Sequence, residues 1–147
     1  MALRKGYQKM ISGVHMIPGL ESLPILIHGY ANVFPFPYPD INGVSDKRKP
    51  PVFYPRPDEW LGEPMIERGI PFQLGHEIIV HLIDRLYEML HDVASKNPKV
   101  FVVDCRPVVG DVNDWFDEIH PRSKVFGRIA ELFQRVLIQE GVLPLKP

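Results

Sequence analysis

Apolar positions recur at helical spacing in three segments of the chain. The spacing predicts helices over about 3–16, 75–95 and 121–140. In the second helix the apolar stripe is Ile79, Leu82, Ile83, Leu86, Leu90 and Val93, and in the third it is Val125, Ile129, Leu132, Phe133, Val136 and Leu137. Each of these helices is therefore expected to turn one face inward.

Two short, continuously apolar runs separate the helices. The segment "ILIH", Ile25 to His28, and the segment "KVFVVDC", residues 99–105, are typical of strands whose sheet is covered on both faces. The resulting order, α-β-loop-α-β-α, predicts an α/β layered fold with parallel strands. Two strands are fewer than the roughly five or six of an ordinary sheet, so the chain is interpreted as part of a larger sheet with unpaired edges.

A long loop rich in proline and aromatic residues lies between the first strand and the second helix. It covers residues 31–71, and a helical turn around Pro64–Arg68 is the only regular structure expected there. A segment of this length within a compact domain is usually functional or mobile. The whole chain, 1–147, is interpreted as a single α/β domain that carries this loop.

Composition narrows the classes of partner and compartment. The formal net charge is −1, which gives no electrostatic reason to expect nucleic acid or an anionic membrane as a partner. No stretch approaches the roughly 20 apolar residues of a membrane span. A single cysteine, Cys105, excludes an internal disulfide and a cysteine-based zinc framework. These features and the lack of a secretory signal predict a cytoplasmic location.

The segment "DEIHP" carries the clearest candidate chemistry. Pro121 suits the first turn of a helix and forces His120 into an extended conformation, so the imidazole is presented from a loop. Asp117, three residues earlier, can accept a hydrogen bond from Nδ1 of that ring. A histidine oriented in this way is a general base for a hydroxyl group. The alternative is that Asp117 only caps the turn through neighbouring backbone N–H groups.

Two further groups of residues are candidate ligand-binding sites. A site for a hard cation is one possibility, but it is not favoured, because the spacing of the acidic residues matches no known metal loop. The residues that could supply its oxygen and imidazole ligands are Asp111, Asp114, Asp117, Glu118 and His120. Ligands of open α/β sheets collect at the carboxyl ends of strands. His28, Gly29 and Tyr30 are therefore candidate substrate-binding residues near His120. The alternative is that His28 only hydrogen-bonds the following loop.

The block "WFDEIHPRSKVFGRIAELF" resembles the final block of the SGNH, or GDSL-type, serine hydrolases, in which Asp-x-x-His-Pro precedes a helix with a phenylalanine, here Phe126. "NPKVFVVD" and "LPILIHGY" resemble the last two strands of that fold. The resemblance implies a three-layer flavodoxin-like fold that lacks its N-terminal strands. It also implies an esterase or lipase-like enzyme, acting on a small-molecule ester or acyl substrate without a cofactor. Asp117 and His120 would be the acid and base of its triad.

The nucleophile that the resemblance requires is missing from the sequence. None of the five serines follows an apolar strand in a Gly-Asp-Ser-like turn, and Ser45 is the least implausible substitute. The resemblance therefore implies that the serine and the oxyanion hole precede Met1, and residues 1–147 alone are expected to be inactive. The alternative is a non-catalytic α/β module that completes its sheet by homodimerisation or with a partner chain.

Overall fold

A computed structural model describes residues 2–40, 43–48 and 60–144. Its regular elements, in chain order, are α1 (Ala2–His15), β1 (Ile25–His28), α2 (Gly62–Glu67), α3 (Phe72–Ser95), β2 (Val100–Val103) and α4 (Ser123–Gln139). Two 3-10 turns, Arg106–Val108 and Val112–Asp114, connect β2 to α4. The chain is thus a mixed α/β structure, and its elements follow the order that the apolar pattern predicts.

The two strands form a parallel pair. Ile25 lies opposite Val100 and His28 opposite Val103, so the carboxyl ends of β1 and β2 are side by side. Within the described residues the sheet has only these two strands, and each keeps one unpaired edge. The flavodoxin-like three-layer arrangement, which needs more strands, stays a prediction.

The core forms where the long helix α3 crosses both strands. α4 packs against β2, and α1 and α2 pack against α3. The largest fully buried side chains come from α3, from β2 and the segment that follows it, and from the start of α4: Tyr87, Leu90, Val93, Val103, Cys105, Val112, Trp115, Glu118 and Val125. Part of the segment that contains the "DEIHP" turn therefore belongs to the core, through Val112, Trp115 and Glu118.

Two boundaries and one core assignment differ from the sequence prediction. α3 begins at Phe72 because Pro71, with an extended backbone, supplies the residue that precedes its first turn. α4 begins at Ser123 because Pro121 pairs with Trp115 in an antiparallel bridge and Arg122 is also extended. Leu82, predicted to face inward, is 60% exposed, since no described element covers that side of α3.

A buried ionic contact holds the described part of the long loop together. Arg48 is buried, and its guanidinium donates to the Asp46 carboxylate and to the backbone carbonyl oxygens of Phe34 and Pro35, all within the loop. Residues 41, 42 and 49–59 of the predicted loop lie outside the described part of the chain. The rest of this loop includes α2, a six-residue helix that overlaps the predicted helical turn around Pro64–Arg68.

Candidate functional site

The "DEIHP" segment forms a closed turn whose ends are tied together. The backbone N–H of Phe116 donates to the carbonyl oxygen of His120 at 2.8 Å, and that of Arg122 donates to the carbonyl oxygen of Asp114 at 2.9 Å. The bridge between Trp115 and Pro121 lies between these two hydrogen bonds. The turn therefore holds Asp117 and His120 at its tip, in front of the first turn of α4.

Asp117 and His120 make the contact that their spacing predicts. Nδ1 of His120 lies 2.8 Å from one carboxylate oxygen of Asp117 and 3.0 Å from the other. The same carboxylate accepts the backbone N–H groups of Ile119 at 3.0 Å and His120 at 2.8 Å. Asp117 thus caps the turn and contacts the imidazole at once, and the catalytic role of the pair stays a prediction.

The two members of this pair differ in their access to solvent. The side chain of Asp117 is 6% exposed, whereas that of His120 is 54% exposed. No described residue hydrogen-bonds Nε2 of His120. A carboxylate that is withdrawn from water and bound to Nδ1 fixes the tautomer, which leaves Nε2 as the proton acceptor at the surface.

His120 opens onto a cavity of about 280 Å³. Most of the cavity wall is apolar, and it comes from the segment after β1, the "DEIHP" turn and α4: Ala31, Trp115, Ile119, Pro121, Val125, Phe126 and Ile129, with Tyr30 and Cys105. Tyr30 and Phe126 are also exposed, so aromatic rings lie at its rim. A cavity with an apolar wall and one free imidazole nitrogen is suited to a small, largely apolar molecule.

The three residues predicted to bind substrate line the same cavity as His120. His28 is the last residue of β1, and Gly29 and Tyr30 follow it at the carboxyl end of the strand. Nδ1 of His28 lies 3.0 Å from the carbonyl oxygen of Gly29, and its ring contacts Phe133 edge to face. The structure therefore brings these residues close to the Asp117–His120 pair, and their binding of substrate stays a prediction.

A buried tyrosine holds the two strand ends that form one side of the cavity. The Tyr87 hydroxyl accepts the backbone N–H of Gly29 at 3.2 Å and that of Cys105 at 2.8 Å. Burial raises the pKa of Tyr87 well above its usual value. At Gly29 a Cβ atom would lie 3.0 Å from the Tyr87 ring, so a larger residue would push the ring and the strand end apart. Local sequence does not identify the role of Tyr87, because the two residues whose N–H groups it accepts, Cys105 and Gly29, are 18 and 58 positions away.

Glu118, which the sequence offered only as a possible metal ligand, has a different role in the structure. Its carboxylate is fully buried and accepts four backbone N–H groups from the long loop, those of Phe36, Trp60, Leu61 and Gly62, at 2.7–3.1 Å. Burial raises the pKa of Glu118, and the four donors oppose that rise. Gly62 is required there, because a Cβ atom would lie 1.7 Å from the carbonyl oxygen of Phe36. Glu118 therefore joins the loop to the turn that carries His120.

The acidic residues around the turn do not converge on one point. Asp114 is buried against the Lys124 ammonium at 2.6 Å and the Arg128 guanidinium at 2.7 Å, while Asp111 accepts a backbone N–H within its own turn. Burial by itself would raise the pKa of Asp114, but Lys124, the backbone N–H of Gly110 and Arg128 hold it well below its usual range. Among the described residues no three His, Cys, Asp or Glu side chains are placed to hold a metal ion.

No described serine completes the pair in the manner of a triad. His120 makes no hydrogen bond with a serine hydroxyl in the described part of the chain. Ser45 lies beside the Val112–Asp114 turn, where its carbonyl oxygen accepts from Asn113 at 3.1 Å. Cys105 does line the cavity, but burial raises the pKa of its thiol, which donates weakly to the Val103 carbonyl oxygen. A thiol in that state is a poor nucleophile.

No described helix is both long enough and apolar enough to cross a lipid bilayer.

Comparison with known proteins gives one distant similarity. A 1,4-alpha-glucan branching enzyme from Prochlorococcus marinus is 27% identical to the chain over 104 residues. The aligned region is 67% of this chain and only 13% of that enzyme, so the chain spans a small part of the curated protein it matches. No family model matches the chain, and no solved structure matches it.

This similarity corrects the family resemblance drawn from the sequence. The matched enzyme belongs to a different family from the SGNH hydrolases, so the SGNH or GDSL-type identification is wrong. The esterase and lipase-like labels that depended on it lose their basis, as does the implied Gly-Asp-Ser loop before Met1. The misidentification has a physical origin: "DEIHP" is a short motif that any turn needing an oriented histidine before a helix can adopt. What remains is the observed geometry of Asp117 and His120.

Proposed function

We propose that the protein is an enzyme of the hydrolase or group-transferase class, in which His120 is the general base. The observation that carries this proposal is the one-sided environment of the imidazole. Its Nδ1 lies within 3.0 Å of both carboxylate oxygens of Asp117, whereas Nε2 has no hydrogen bond from any described residue. The carboxylate also stabilises the imidazolium that forms once Nε2 has taken a proton.

The proton comes from a hydroxyl group that acts as the nucleophile. As the O–H bond breaks, the proton moves to Nε2 of His120 and the oxygen forms a bond to the electrophilic atom of the substrate. The bond between that atom and the leaving group then breaks, and the leaving group accepts the proton from Nε2, which restores the neutral imidazole. Because no described serine contacts His120, the hydroxyl belongs to water, to an acceptor substrate or to a group outside the described residues.

The experiment that tests the proposal measures histidine-dependent turnover of a generic electrophile, p-nitrophenyl acetate. The comparison uses wild type, His120→Ala, Asp117→Asn, and His81→Ala as a matched control, because His81 is an exposed histidine on α3. General-base catalysis typically contributes 10²–10⁴-fold, so we expect His120→Ala to lower the rate constant by at least tenfold. Asp117→Asn should also lower it, since an amide can favour the wrong tautomer. Equal rates in wild type, His120→Ala and His81→Ala would refute the proposal.

A second candidate function, a binding module that completes its sheet with another copy of the chain, is favoured by the unpaired edge of β1. A groove of about 330 Å³ lies alongside this strand, between it and α1, and its wall includes Tyr7, Met10, Ile11 and Val14. The unpaired N–H and C=O groups of an edge strand are ready to pair with another strand. This candidate predicts self-association measurable by light scattering, weakened by Met10→Lys and unaffected by Met16→Lys, which alters an exposed methionine outside the groove.

A further inference from the structure

Two histidines line the cavity beside the "DEIHP" turn, and both are held in the same tautomer. Nδ1 of His120 faces the Asp117 carboxylate, and Nδ1 of His28 lies 3.0 Å from the carbonyl oxygen of Gly29. Neither oxygen partner can donate, so in each neutral ring the proton is on Nδ1 and Nε2 is a hydrogen-bond acceptor. Because Nδ1 of His120 lies against a buried carboxylate, the opposite edge of the ring, which carries Nε2, is the edge that meets the cavity.

The donors on the side of the cavity that holds His120 are all engaged within the protein. The backbone N–H groups of Ile119 and His120 donate to Asp117, and that of Trp115 donates to a backbone carbonyl oxygen. The N–H groups that α4 contributes to the wall donate within the helix or to the residue that precedes it. The indole Nε1 of Trp115 is buried, out of reach of a molecule in the cavity. On this side the described residues therefore offer a ligand the acceptor Nε2 of His120 and no free N–H group.

We propose that the cavity binds a small apolar alcohol or phenol, whose hydroxyl donates a hydrogen bond to Nε2 of His120. The apolar wall, with a volume of about 280 Å³, holds the rest of the molecule. An aliphatic cavity of about 150 Å³ is enough for benzene, so a substituted ring fits here. This inference rests on the proposed function in one respect: it makes the bound molecule, and not water, the source of the hydroxyl that His120 activates.

The test compares p-cresol with p-xylene, which has a methyl group in place of the hydroxyl. Each probe is titrated into the full chain by NMR. Because p-xylene is the more apolar probe, the deciding quantity is the ratio of the two dissociation constants and its change between variants. One neutral hydrogen bond is worth about fivefold in affinity, so the preference for p-cresol should fall about fivefold in His120→Phe, which keeps a ring and removes the acceptor. Tyr30→Phe is the control, because it removes a hydroxyl from the rim of the same cavity, and it should keep the preference.

A second measurement needs only the wild-type protein, so it decides the matter even if His120→Phe does not fold. The ¹⁵N resonance of Nε2 of His120 should move upfield with p-cresol, because its lone pair accepts a hydrogen bond, and p-xylene should not cause this shift. A signal that responds to neither probe, or equally to both, overturns the inference, as does a preference that Tyr30→Phe removes and His120→Phe keeps. The p-nitrophenyl acetate assay is read separately. A preference that depends on His120 in a protein without His120-dependent turnover supports this ligand class and refutes only the proposed base, whereas turnover without the preference overturns this inference alone.

Discussion

Replacing Glu118 with glutamine tests whether one buried carboxylate holds the long loop against the "DEIHP" turn. One oxygen of Glu118 accepts from the backbone N–H groups of Phe36 and Gly62, both at 2.7 Å. The other accepts from those of Trp60 at 3.1 Å and Leu61 at 2.8 Å. A glutamine has nearly the same shape but only one acceptor oxygen, so it can satisfy one of these pairs of donors and must present its NH₂ group to the other pair.

The magnitude follows from the two donors that lose their acceptor. A buried donor left without a partner costs about 1–3 kcal/mol, so two of them give a loss of about 4 kcal/mol for Glu118→Gln. Small domains are stable by roughly 5–15 kcal/mol, which makes this loss large but measurable. We expect the midpoint of urea unfolding to fall while the slope of the unfolding free energy against urea concentration stays the same. The reason is that glutamate and glutamine have nearly the same size, so the area exposed on unfolding does not change.

The matched control is Glu131→Gln, which makes the same chemical change at an exposed position of α4. It should alter the free energy of unfolding by less than about 0.5 kcal/mol. Hydrogen exchange locates the effect. In Glu118→Gln the amides of Phe36, Trp60, Leu61 and Gly62 should exchange faster than the loss of global stability alone explains. The exchange of amides in the middle of α3 should change only by as much as the global stability changes. If Glu118→Gln loses no more stability than Glu131→Gln, the carboxylate does not anchor the loop and the reasoning fails.

Three further changes probe the supports of the site by equilibrium unfolding. Gly62→Ala should lower the free energy of unfolding by about 3 kcal/mol, because the added Cβ would overlap the Phe36 carbonyl oxygen. Its control is Gly6→Ala, whose Cβ meets no atom within 4 Å and which should stabilise α1 by roughly 0.5–1 kcal/mol. Tyr87→Phe leaves the N–H groups of Gly29 and Cys105 without their acceptor and should cost about 3 kcal/mol, a loss that Tyr30→Phe at the exposed rim should not show. The pKa of Asp114 is lowered in the folded state, so its contribution to stability is present above the unfolded pKa near about 4 and is lost as the pH falls further. The acid side of the pH–stability curve should therefore be flatter in Asp114→Asn, and an unchanged slope would contradict this.

The features that local sequence predicts are those that depend on neighbouring residues. The spacing in "DEIHP" predicts the contact between Asp117 and His120, because a three-residue turn closed by a proline admits few other geometries. The apolar runs 25–28 and 100–103 are likewise continuous enough to predict a parallel pair. In both cases the residues that decide the structure lie within one turn or one strand of each other.

The features that escaped prediction depend on residues far apart in the chain. Glu118 contacts Phe36 across 82 positions, and Tyr87 contacts Gly29 across 58. Local periodicity does not distinguish a glutamate that anchors a loop from one at the surface. The sequence therefore offers Glu118 only as a possible metal ligand, because other acidic residues lie near it in the chain. Leu82 shows the converse: its place in an apolar stripe predicts burial, but burial also needs a covering element, and no described element lies there.

The consecutive residues Asp117 and Glu118 divide the work of the turn between them. The Asp117 carboxylate contacts the imidazole of His120, whereas the Glu118 carboxylate contacts the loop around Gly62. The position of His120 is therefore set from two directions, by the acid that orients its ring and by the loop that holds the turn in place. A substitution in the loop can then displace His120, the proposed general base, by weakening the hold of Glu118, and a displacement of about an ångström from a reactive geometry costs catalysis heavily.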